Sequence, residues 1–197
     1  MGIDLLALLD ELQAIARNGL TYSENPYDRE RYERLLDLAI RGYGEALSMP
    51  PEVVRARLGG ELGYVTAKVG ADGAIFDDED RVLLVHRADD DTWGLVSGWV
   101  DAGETPADTV VREIAEEVGL DATVLGLVDV IGRPAGSGYG PHGAVAVVYR
   151  CAVAPGEMTL SHEVRDARYR VIDEVEHWHH NHERLARVAL AAHLAAK

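Results

Sequence analysis

Residues 98–120 read Gly-Trp-Val-Asp-Ala-Gly-Glu-Thr-Pro-Ala-Asp-Thr-Val-Val-Arg-Glu-Ile-Ala-Glu-Glu-Val-Gly-Leu, and this stretch decides the fold. Thr105 is suited to cap a helix, Pro106 to be its first residue and Gly119 to end it. At about 100° per residue, one face of that helix is apolar and carries Ala107, Val110, Val111, Ile114 and Val118. The stretch therefore predicts a loop followed by an amphipathic helix over residues 106–118.

Three carboxylates lie on the other side of this helix. Glu113, Glu116 and Glu117 fall within about a third of its circumference, where their like charges repel and weaken an isolated helix. A cation would offset that repulsion, and carboxylate oxygens suit Mg²⁺ or Mn²⁺. The alternative is a solvated acidic face on an acidic protein. The spacing alone does not choose between the two.

The full pattern resembles the Nudix box. Gly98 is followed after five residues by Glu104, and after seven more by Arg112-Glu113-Ile114-x-Glu116-Glu117-x-Gly119-Leu120. The resemblance extends over roughly residues 62–197. It implies an α/β/α sandwich with a mixed sheet, and a pyrophosphohydrolase of nucleotides. One departure is that Leu95-Val96-Ser97 precedes the first glycine, where the family often has Pro-Gly.

The resemblance also implies roles for individual residues of this box. Glu113, Glu116 and Glu117 would be ligands of Mg²⁺, for which Mn²⁺ substitutes, and the carbonyl of Gly98 or of Ser97 would complete the sphere. Glu104 and Arg112 form an internal ion pair that fixes the loop against the helix.

Hydrolysis by water attack on phosphorus also needs a base. In the family this is often a glutamate outside the box or one of the box glutamates, so the candidates are Glu116, Glu117 and Glu163. Glu163 precedes a predicted strand, and the alternative is a surface glutamate at a strand edge. Glu157 and His142 are weaker candidates.

Periodicity outside the box predicts a helical N-terminal domain, residues 1–60, followed by a Nudix domain, residues 61–197. Helices are expected at 3–18, 27–47 and 51–58, with Asn18-Gly19 as the stop signal of the first helix and a boundary at Gly59-Gly60. A last helix, 181–196, has Asn181 as its N-cap. Strands are expected at 64–69, 73–76, 82–86, 93–96, 124–131, 144–154 and 167–172.

The N-terminal segment carries a second resemblance. Gln13-Ala14-Ile15-Ala16-x-Asn18-Gly19-Leu20-Thr21-Tyr22 and Asn25-Pro26-Tyr27-Asp28-x-x-Arg31-Tyr32 resemble a helical domain found on some Nudix hydrolases. Those enzymes act on nucleoside diphosphates linked to another moiety, and the domain supports dimer formation. A homodimer is therefore expected, with a helical lid on its own domain as the alternative. Tyr22, Tyr27 and Tyr32 either contact a base or ribose or pack in the core.

Substrate choice lies in loops outside the box. Pro134 follows the box at a place where ADP-ribose hydrolases of the family often carry a proline, so this resemblance favours ADP-ribose. The N-terminal resemblance favours CDP-choline as the second candidate. In the glycine-rich loop 136–142, Tyr139 would stack on a base and His142 would bind a phosphate, unless this is simply a mobile hairpin loop. Trp99 and Trp178 are further candidates for the substrate pocket.

Composition limits the partners. The net charge of −15 argues against nucleic acid or an anionic membrane as the main partner. The start, Met1-Gly2-Ile3-Asp4, lacks a basic signal region, and no apolar run approaches about 20 residues, so a cytoplasmic protein is expected. Cys151, in an apolar run, is expected to be buried and inert. The histidines at 177–182 are expected to surround a helix cap and not a zinc ion.

Two further functions remain open at this stage. One is a non-catalytic nucleotide sensor with the same fold, against which the intact set of box glutamates argues. The other is a pyrophosphohydrolase of nucleoside triphosphates or RNA ends.

Overall fold

The computed structural model describes residues 4–59, 65–139 and 142–197. It contains two compact units. The helical unit comprises the described residues up to Lys68 together with the loop 133–144, and the sandwich unit comprises residues 69–132 and 145–197. Parts of three expectations (Ile3 in the first helix, Gly60 at the boundary and Tyr64 in the first strand) lie outside the described residues. Among the helices described, none is long and apolar enough to span a membrane.

Three helices form most of the helical unit: α1 (Leu5–Tyr22), α2 (Pro26–Ala46) and α3 (Pro51–Leu58). The carboxylate of Asp4 caps α1, and the side chain of Asn25 caps α2. Apolar side chains from all three helices make one small core, which consists of Leu9, Ile40, Tyr43, Val54 and Leu58.

The prediction that Asn18-Gly19 ends the first helix is wrong, because α1 continues to Tyr22. Gly19 lies inside the helix, where a Cβ atom would stand 2.5 Å from the ring of Tyr32. The glycine therefore makes room for an aromatic ring from α2 and does not terminate the helix. Tyr32 packs here. Asn18 does bind outside the helix, since its side-chain oxygen accepts from the backbone N–H of Val65 at 2.8 Å.

Asp10 of α1 holds the loop 133–144 in the helical unit. Its Oδ2 accepts from the backbone N–H of Gly143 at 2.8 Å, and its Oδ1 lies 2.8 Å from His142 Nδ1. Oδ1 also accepts from Gln13 Nε2 at 3.2 Å and from the Tyr43 hydroxyl at 3.4 Å. One carboxylate thus joins α1, α2 and the loop.

The sandwich unit contains two sheets and two helices. Its sheets have the strand orders β4-β1-β6-β5 and β3-β2-β7. The strands are β1 (Lys68–Ile75), β2 (Val82–Arg87), β3 (Trp93–Gly94), β4 (Val96–Trp99), β5 (Ala122–Arg133), β6 (Ala144–Val153) and β7 (Val164–Arg170). The helices are α4 (Pro106–Val118) and α5 (His182–Ala195), with a short 3₁₀ turn, Ile172–Glu174, before α5.

Side chains on β1 and β2 alternate between the two helix layers, as the pleat of a strand requires. On one side Ala71, Leu83 and Val85 share a core with Val110, Ile114 and Val118 of α4. On the other side Ala74, Val82 and Leu84 share a core with Leu185, Ala186 and Ala189 of α5. The predicted α/β/α sandwich behind a helical N-terminal region is confirmed.

Two strand predictions need correction. The separate strands expected at 64–69 and 73–76 are replaced by one strand, β1, which runs through Gly70 and Gly73. The strand expected at 93–96 is divided between β3 and β4, which belong to different sheets. The division falls at Leu95, whose backbone N–H donates to His182 Nδ1 at 3.1 Å instead of to a neighbouring strand.

Gly73 offers a test of the packing between β1 and α4. A Cβ atom there would lie 2.7 Å from Val110 Cγ2 and 3.2 Å from Ile114 Cδ1, closer than packed carbon atoms allow. We expect Gly73→Ala to lower the free energy of unfolding by about 1–3 kcal/mol, measured by urea denaturation. Gly126→Ala is the matched control, because a Cβ atom at this β5 position meets nothing within 4 Å. Equal stability of the two variants would contradict this packing.

Candidate active site

Helix α4 begins and ends where the sequence predicts. Thr105 Oγ1 accepts from the backbone N–H of Asp108 at 3.2 Å, and Asp108 Oδ2 accepts from the N–H of Thr105 at 3.0 Å. This reciprocal capping box fixes the first turn, with Pro106 as the first helical residue. Gly119 ends the helix in the left-handed conformation, with φ 72°. The carboxylates on α4 therefore stand on a helix fixed at both ends.

Glu104, in the loop before α4, binds the guanidinium of Arg112 through two hydrogen bonds. Arg112 Nε donates to Oε1 at 2.8 Å, and Nη2 donates to Oε2 at 3.0 Å. The Thr109 hydroxyl adds a third bond, to Oε2, at 2.8 Å. These donors, Arg112 first and Thr109 second, lower the pKa of Glu104 to about 2. The structure thus brings together the two residues that the sequence pairs.

Arg112 also binds two of the α4 glutamates. Its Nη1 donates to Glu113 Oε1 at 2.8 Å and to Glu116 Oε2 at 3.1 Å, and its Nη2 reaches the carbonyl of Trp99 at 3.3 Å. These partners, Glu104 foremost, raise the pKa of the guanidinium. A single cation therefore offsets three carboxylates and fastens the loop to the helix.

Glu117 is the buried member of the set, with 5% of its surface exposed. It accepts a backbone hydrogen bond from Ser97, while its Oε2 has no hydrogen-bond partner among the residues the structure describes. Burial raises the pKa of Glu117 to about 8, and the negative charge of Glu113 adds to the rise. A buried carboxylate oxygen without a donor is costly unless a cation or a proton satisfies it.

Gly98 lies directly against Glu113. A Cβ atom at this β4 position would stand well under 3.0 Å from the Glu113 carboxylate, so a larger residue would displace the Glu113 side chain. β4 is positioned by its antiparallel pairing with β1, in which Gly98 faces Ala71. Burial raises the pKa of Glu113, and Arg112 offsets this only in part. The backbone at Gly98 and the Glu113 carboxylate are therefore close neighbours.

Glu163 approaches the box from the start of β7. Its carbonyl accepts from the backbone N–H of Ala88 at 2.8 Å, and the N–H of nearby Ser161 donates to the carbonyl of Glu117 at 3.0 Å. The Glu163 side chain is exposed, and its negative charge raises the pKa of both Glu113 and Glu117. This side of the site therefore gathers three carboxylates from two separate elements.

Arg87 is a residue that the sequence analysis missed. It ends β2, its guanidinium binds both carboxylate oxygens of Asp89 at 3.1 and 2.8 Å, and its charge opposes the rise in the pKa of Glu117. No motif marks it. Its place depends on β2 passing under α4, which a single sequence does not reveal.

The other predicted residues lie in several places. Trp99 ends β4 with 46% of its surface exposed, and its carbonyl contacts Arg112. Trp178 is partly buried in the core beside α5. Tyr139 and His142 belong to the helical unit, where Tyr139 packs 3.9 Å from the guanidinium of Arg133 and His142 binds Asp10. Gly140 and Pro141 of the same loop lie outside the described residues.

Two remaining predictions concern the thiol and the histidine run. Cys151 is buried, as expected, and burial raises its thiol pKa to about 12. Asn181 stands at the N-cap of α5, but its side chain makes no capping hydrogen bond. In the run 177–182, His182 is buried with its Nε2 3.5 Å from Asp72, and His179 Nδ1 lies 2.6 Å from Asp90. Both histidines thus face carboxylates.

Comparison with known proteins assigns the family. The sequence model of the NUDIX domain matches residues 66–190. The chain belongs to the Nudix family. A second model, described as a UDP-X-like N-terminal oligomerisation domain, matches residues 4–56. Both resemblances noted in the sequence are thereby confirmed.

Curated relatives match more than half of the chain. YjhB of Bacillus subtilis is 39% identical over 120 residues, which make up 61% of this chain and 57% of that protein. The ADP-ribose pyrophosphatase of Methanocaldococcus jannaschii is 29% identical over 126 residues, or 62% of this chain and 72% of the relative. This chain therefore spans little more than half the length of YjhB.

Solved structures share the fold. A UDP-X diphosphatase superposes with a TM-score of 0.60 at 24% identity, covering 98% of this chain and 96% of the other. An ADP-ribose pyrophosphatase from Streptococcus suis superposes with a TM-score of 0.55 at 26% identity, covering 65% of this chain and 92% of the other. The first likeness extends over the helices as well as the sandwich, and at that identity it supports the fold alone.

The residues present fit a divalent cation. Glu117 Oε2 is buried without a donor among the described residues. At Gly98 no side chain separates the Glu113 carboxylate from the neighbouring backbone. Hard carboxylate oxygens from one helix turn are the donor set that Mg²⁺ prefers. In the part of the chain that the structure describes, no three such side chains already meet at ligand distance, and Glu113 and Glu116 are turned toward Arg112. Binding would thus draw these two carboxylates from the guanidinium.

The raised pKa of Glu117 predicts how metal-free stability depends on pH. The folded pKa of about 8 exceeds the usual glutamate pKa of 4.5, so the folded protein keeps a proton that the unfolded chain releases. The free energy of unfolding therefore falls as pH rises between these two values. Glu117→Gln should remove this contribution. We therefore expect the variant, in EDTA, to gain thermal stability over the wild type at pH 8 and little at pH 5. A difference that is the same at both pH values would contradict the assignment.

Proposed function

We propose that this protein hydrolyses the pyrophosphate of a nucleoside diphosphate linked to another moiety, in a reaction that requires Mg²⁺. The observation that carries the proposal is the buried Glu117 Oε2, which has no hydrogen-bond partner among the residues that the structure describes, near the carboxylates of Glu113 and Glu163. Such a concentration of carboxylates around a buried oxygen suits a site that works with a cation. The intact set of box glutamates favours catalysis over a nucleotide-sensing role.

Glu113, Glu116 and Glu117 would hold the metal, with the backbone carbonyl of Gly98 or Ser97 as a further ligand. A bound divalent cation supplies charge stabilisation to the phosphate oxygens. Arg112 and Glu104 act as positioning residues, because they orient the glutamates and fix the loop without being needed to touch substrate. Arg87, whose charge acts on Glu117, is placed to limit the repulsion inside the site.

Glu163 is the proposed general base. It is exposed to solvent, where it can take a proton from a water molecule, and its carboxylate lies within electrostatic reach of Glu113 and Glu117. Glu116 and Glu117 are the alternatives within the box. Glu117 is less suited to the role, because it is buried and has little contact with the solvent from which the attacking water comes.

ADP-ribose is the first candidate substrate. It is supported by Pro134 and by relatives whose names record ADP-ribose pyrophosphatases. A uridine diphosphate linked to another group is a second candidate, supported by the UDP-X-like N-terminal domain. CDP-choline is a further candidate, because the resemblance of the N-terminal domain supports it as well. The oligomerisation domain also supports a homodimer, which light scattering at micromolar concentration tests.

The substrate proposal is tested by the products of a panel that contains ADP-ribose, UDP-sugars, CDP-choline, a nucleoside triphosphate and a 5′-triphosphate RNA. We expect the protein to cleave the diphosphates into two phosphomonoesters in Mg²⁺ or Mn²⁺ and to be inactive in EDTA, with product masses read directly. The kcat/KM for ADP-ribose should exceed that for the triphosphates. A clear preference for the triphosphates or RNA would overturn the substrate class, and full turnover in EDTA would overturn the metal requirement.

A matched pair of glutamates tests the base. Glu163→Gln should lower kcat by about 10²–10⁴-fold, because an amide cannot accept the proton. Glu157→Gln is the control. Glu157 lies in the same connection between β6 and β7, and it is not one of the main charges that shift the pKa of Glu113 or Glu117. Equal kcat values for the two variants would assign the base to the box.

A further inference from the structure

The imidazole of His182, the first residue of α5, binds the backbone at the point where the chain passes from β3 to β4. Its Nδ1 accepts from the backbone N–H of Leu95 at 3.1 Å, and both residues are buried. Leu95 stands between the two strands, which belong to different sheets. A buried backbone N–H without an acceptor is costly, so the histidine supplies the partner that a neighbouring strand would otherwise provide.

The orientation of this ring is fixed by its surroundings. Nε2 lies 3.5 Å from the carboxylate of Asp72, a β1 residue with no exposed surface that pairs with Ser97 of β4. Because Nδ1 accepts a hydrogen bond, the ring proton is on Nε2, on the side of this carboxylate. Gly94 leaves room for the ring, since a Cβ atom there would stand 2.9 Å from Nδ1. These contacts keep Nδ1 directed at Leu95.

The strand that follows Leu95 carries two contacts of the carboxylate site. Ser97, two residues further on, donates its backbone N–H to Glu117, and Gly98 lies against Glu113. The side chain of Leu95 belongs to the core on the α5 side of the sheets, whereas these glutamates lie on α4. α5 therefore holds the beginning of a strand whose other side meets the glutamates.

We propose that His182 is a positioning residue for the metal site: by binding the Leu95 amide it sets the place of β4, whose backbone at Ser97 or Gly98 would complete the coordination sphere. This role rests on the proposed function, because it concerns the metal which that function requires. His182 itself touches neither metal nor substrate, and its effect passes along the backbone of β4. Mg²⁺ holds its ligands at about 2.0–2.1 Å, so a small displacement of this strand would weaken the site.

Two substitutions of His182 separate this role from packing. Asparagine places Oδ1 where histidine has Nδ1, so His182→Asn retains an acceptor for the N–H of Leu95. The polar end of glutamine reaches the place of Nε2, so His182→Gln loses that acceptor. Both substitutions remove the buried ring, and we expect a similar loss of stability for the two in urea denaturation with EDTA.

Mn²⁺ affinity is the deciding measurement, made on the full chain without substrate from the electron paramagnetic resonance signal of free Mn²⁺. His182→Gln should weaken Mn²⁺ binding about tenfold, as the loss of a residue that orients a ligand does, whereas His182→Asn should stay within about threefold of the wild type. His193→Gln is the control, because His193 lies on the same helix and binds Asp80 in the turn before β2. Its Mn²⁺ affinity should be unchanged.

Gly94→Ala is an independent variant, and it decides the question if His182→Gln does not fold. The added Cβ would push the imidazole away from Leu95, so this variant should also weaken Mn²⁺ binding about tenfold. The role is overturned if the two His182 variants bind Mn²⁺ equally, or if Gly94→Ala binds it as tightly as the wild type. Failure of the wild type itself to bind Mn²⁺ would overturn the metal site of the proposed function, and this role with it.

Discussion

Like charges on Glu113, Glu116 and Glu117 repel one another across one turn of α4, and the surrounding structure is arranged to offset that repulsion. Arg112 binds two of these glutamates and Glu104 at the same time. The loop before α4 is thereby tied to the helix by the same cation that steadies the helix itself. Removing that guanidinium would release the loop and leave the carboxylates without a counter-charge, so local folding and site geometry depend on one residue.

The apolar face of α4 supplies the second condition for the site. Val110, Ile114 and Val118 pack on β1 and β2. Glu117, which directly precedes Val118 on α4, is buried together with them. A carboxylate in that position keeps a raised pKa and an unsatisfied oxygen. The packing that stabilises the helix thus also buries the Glu117 carboxylate, whose negative charge a cation would stabilise.

Much of this could be read from the sequence, because the deciding signals are local. The bounds of α4 follow from Thr105, Pro106 and Gly119, and the side on which the glutamates gather follows from helical periodicity. The Glu104–Arg112 pair followed from the family resemblance. The failures have non-local causes. Gly19 looks like a helix stop until Tyr32 of another helix is seen to pack against it, and Leu95 interrupts a strand because its amide binds His182. Arg87 and Asp10 acquire their roles only through segments distant in the chain.

The loop 133–144 limits which recombinations between this gene and that of a relative would preserve the helical unit. The helical unit is discontinuous in sequence: its final segment is encoded between β5 and β6, after most of the sandwich has been specified. Recombination that exchanged only the first sixty codons would take α1 from the relative, whereas the loop 133–144 would remain that of this protein. The Asp10 carboxylate would then come from one parent, and the His142 ring and Gly143 backbone N–H that bind it would come from the other. Variation at position 10 and in this loop should therefore be correlated across descendants, although more than 120 residues separate them.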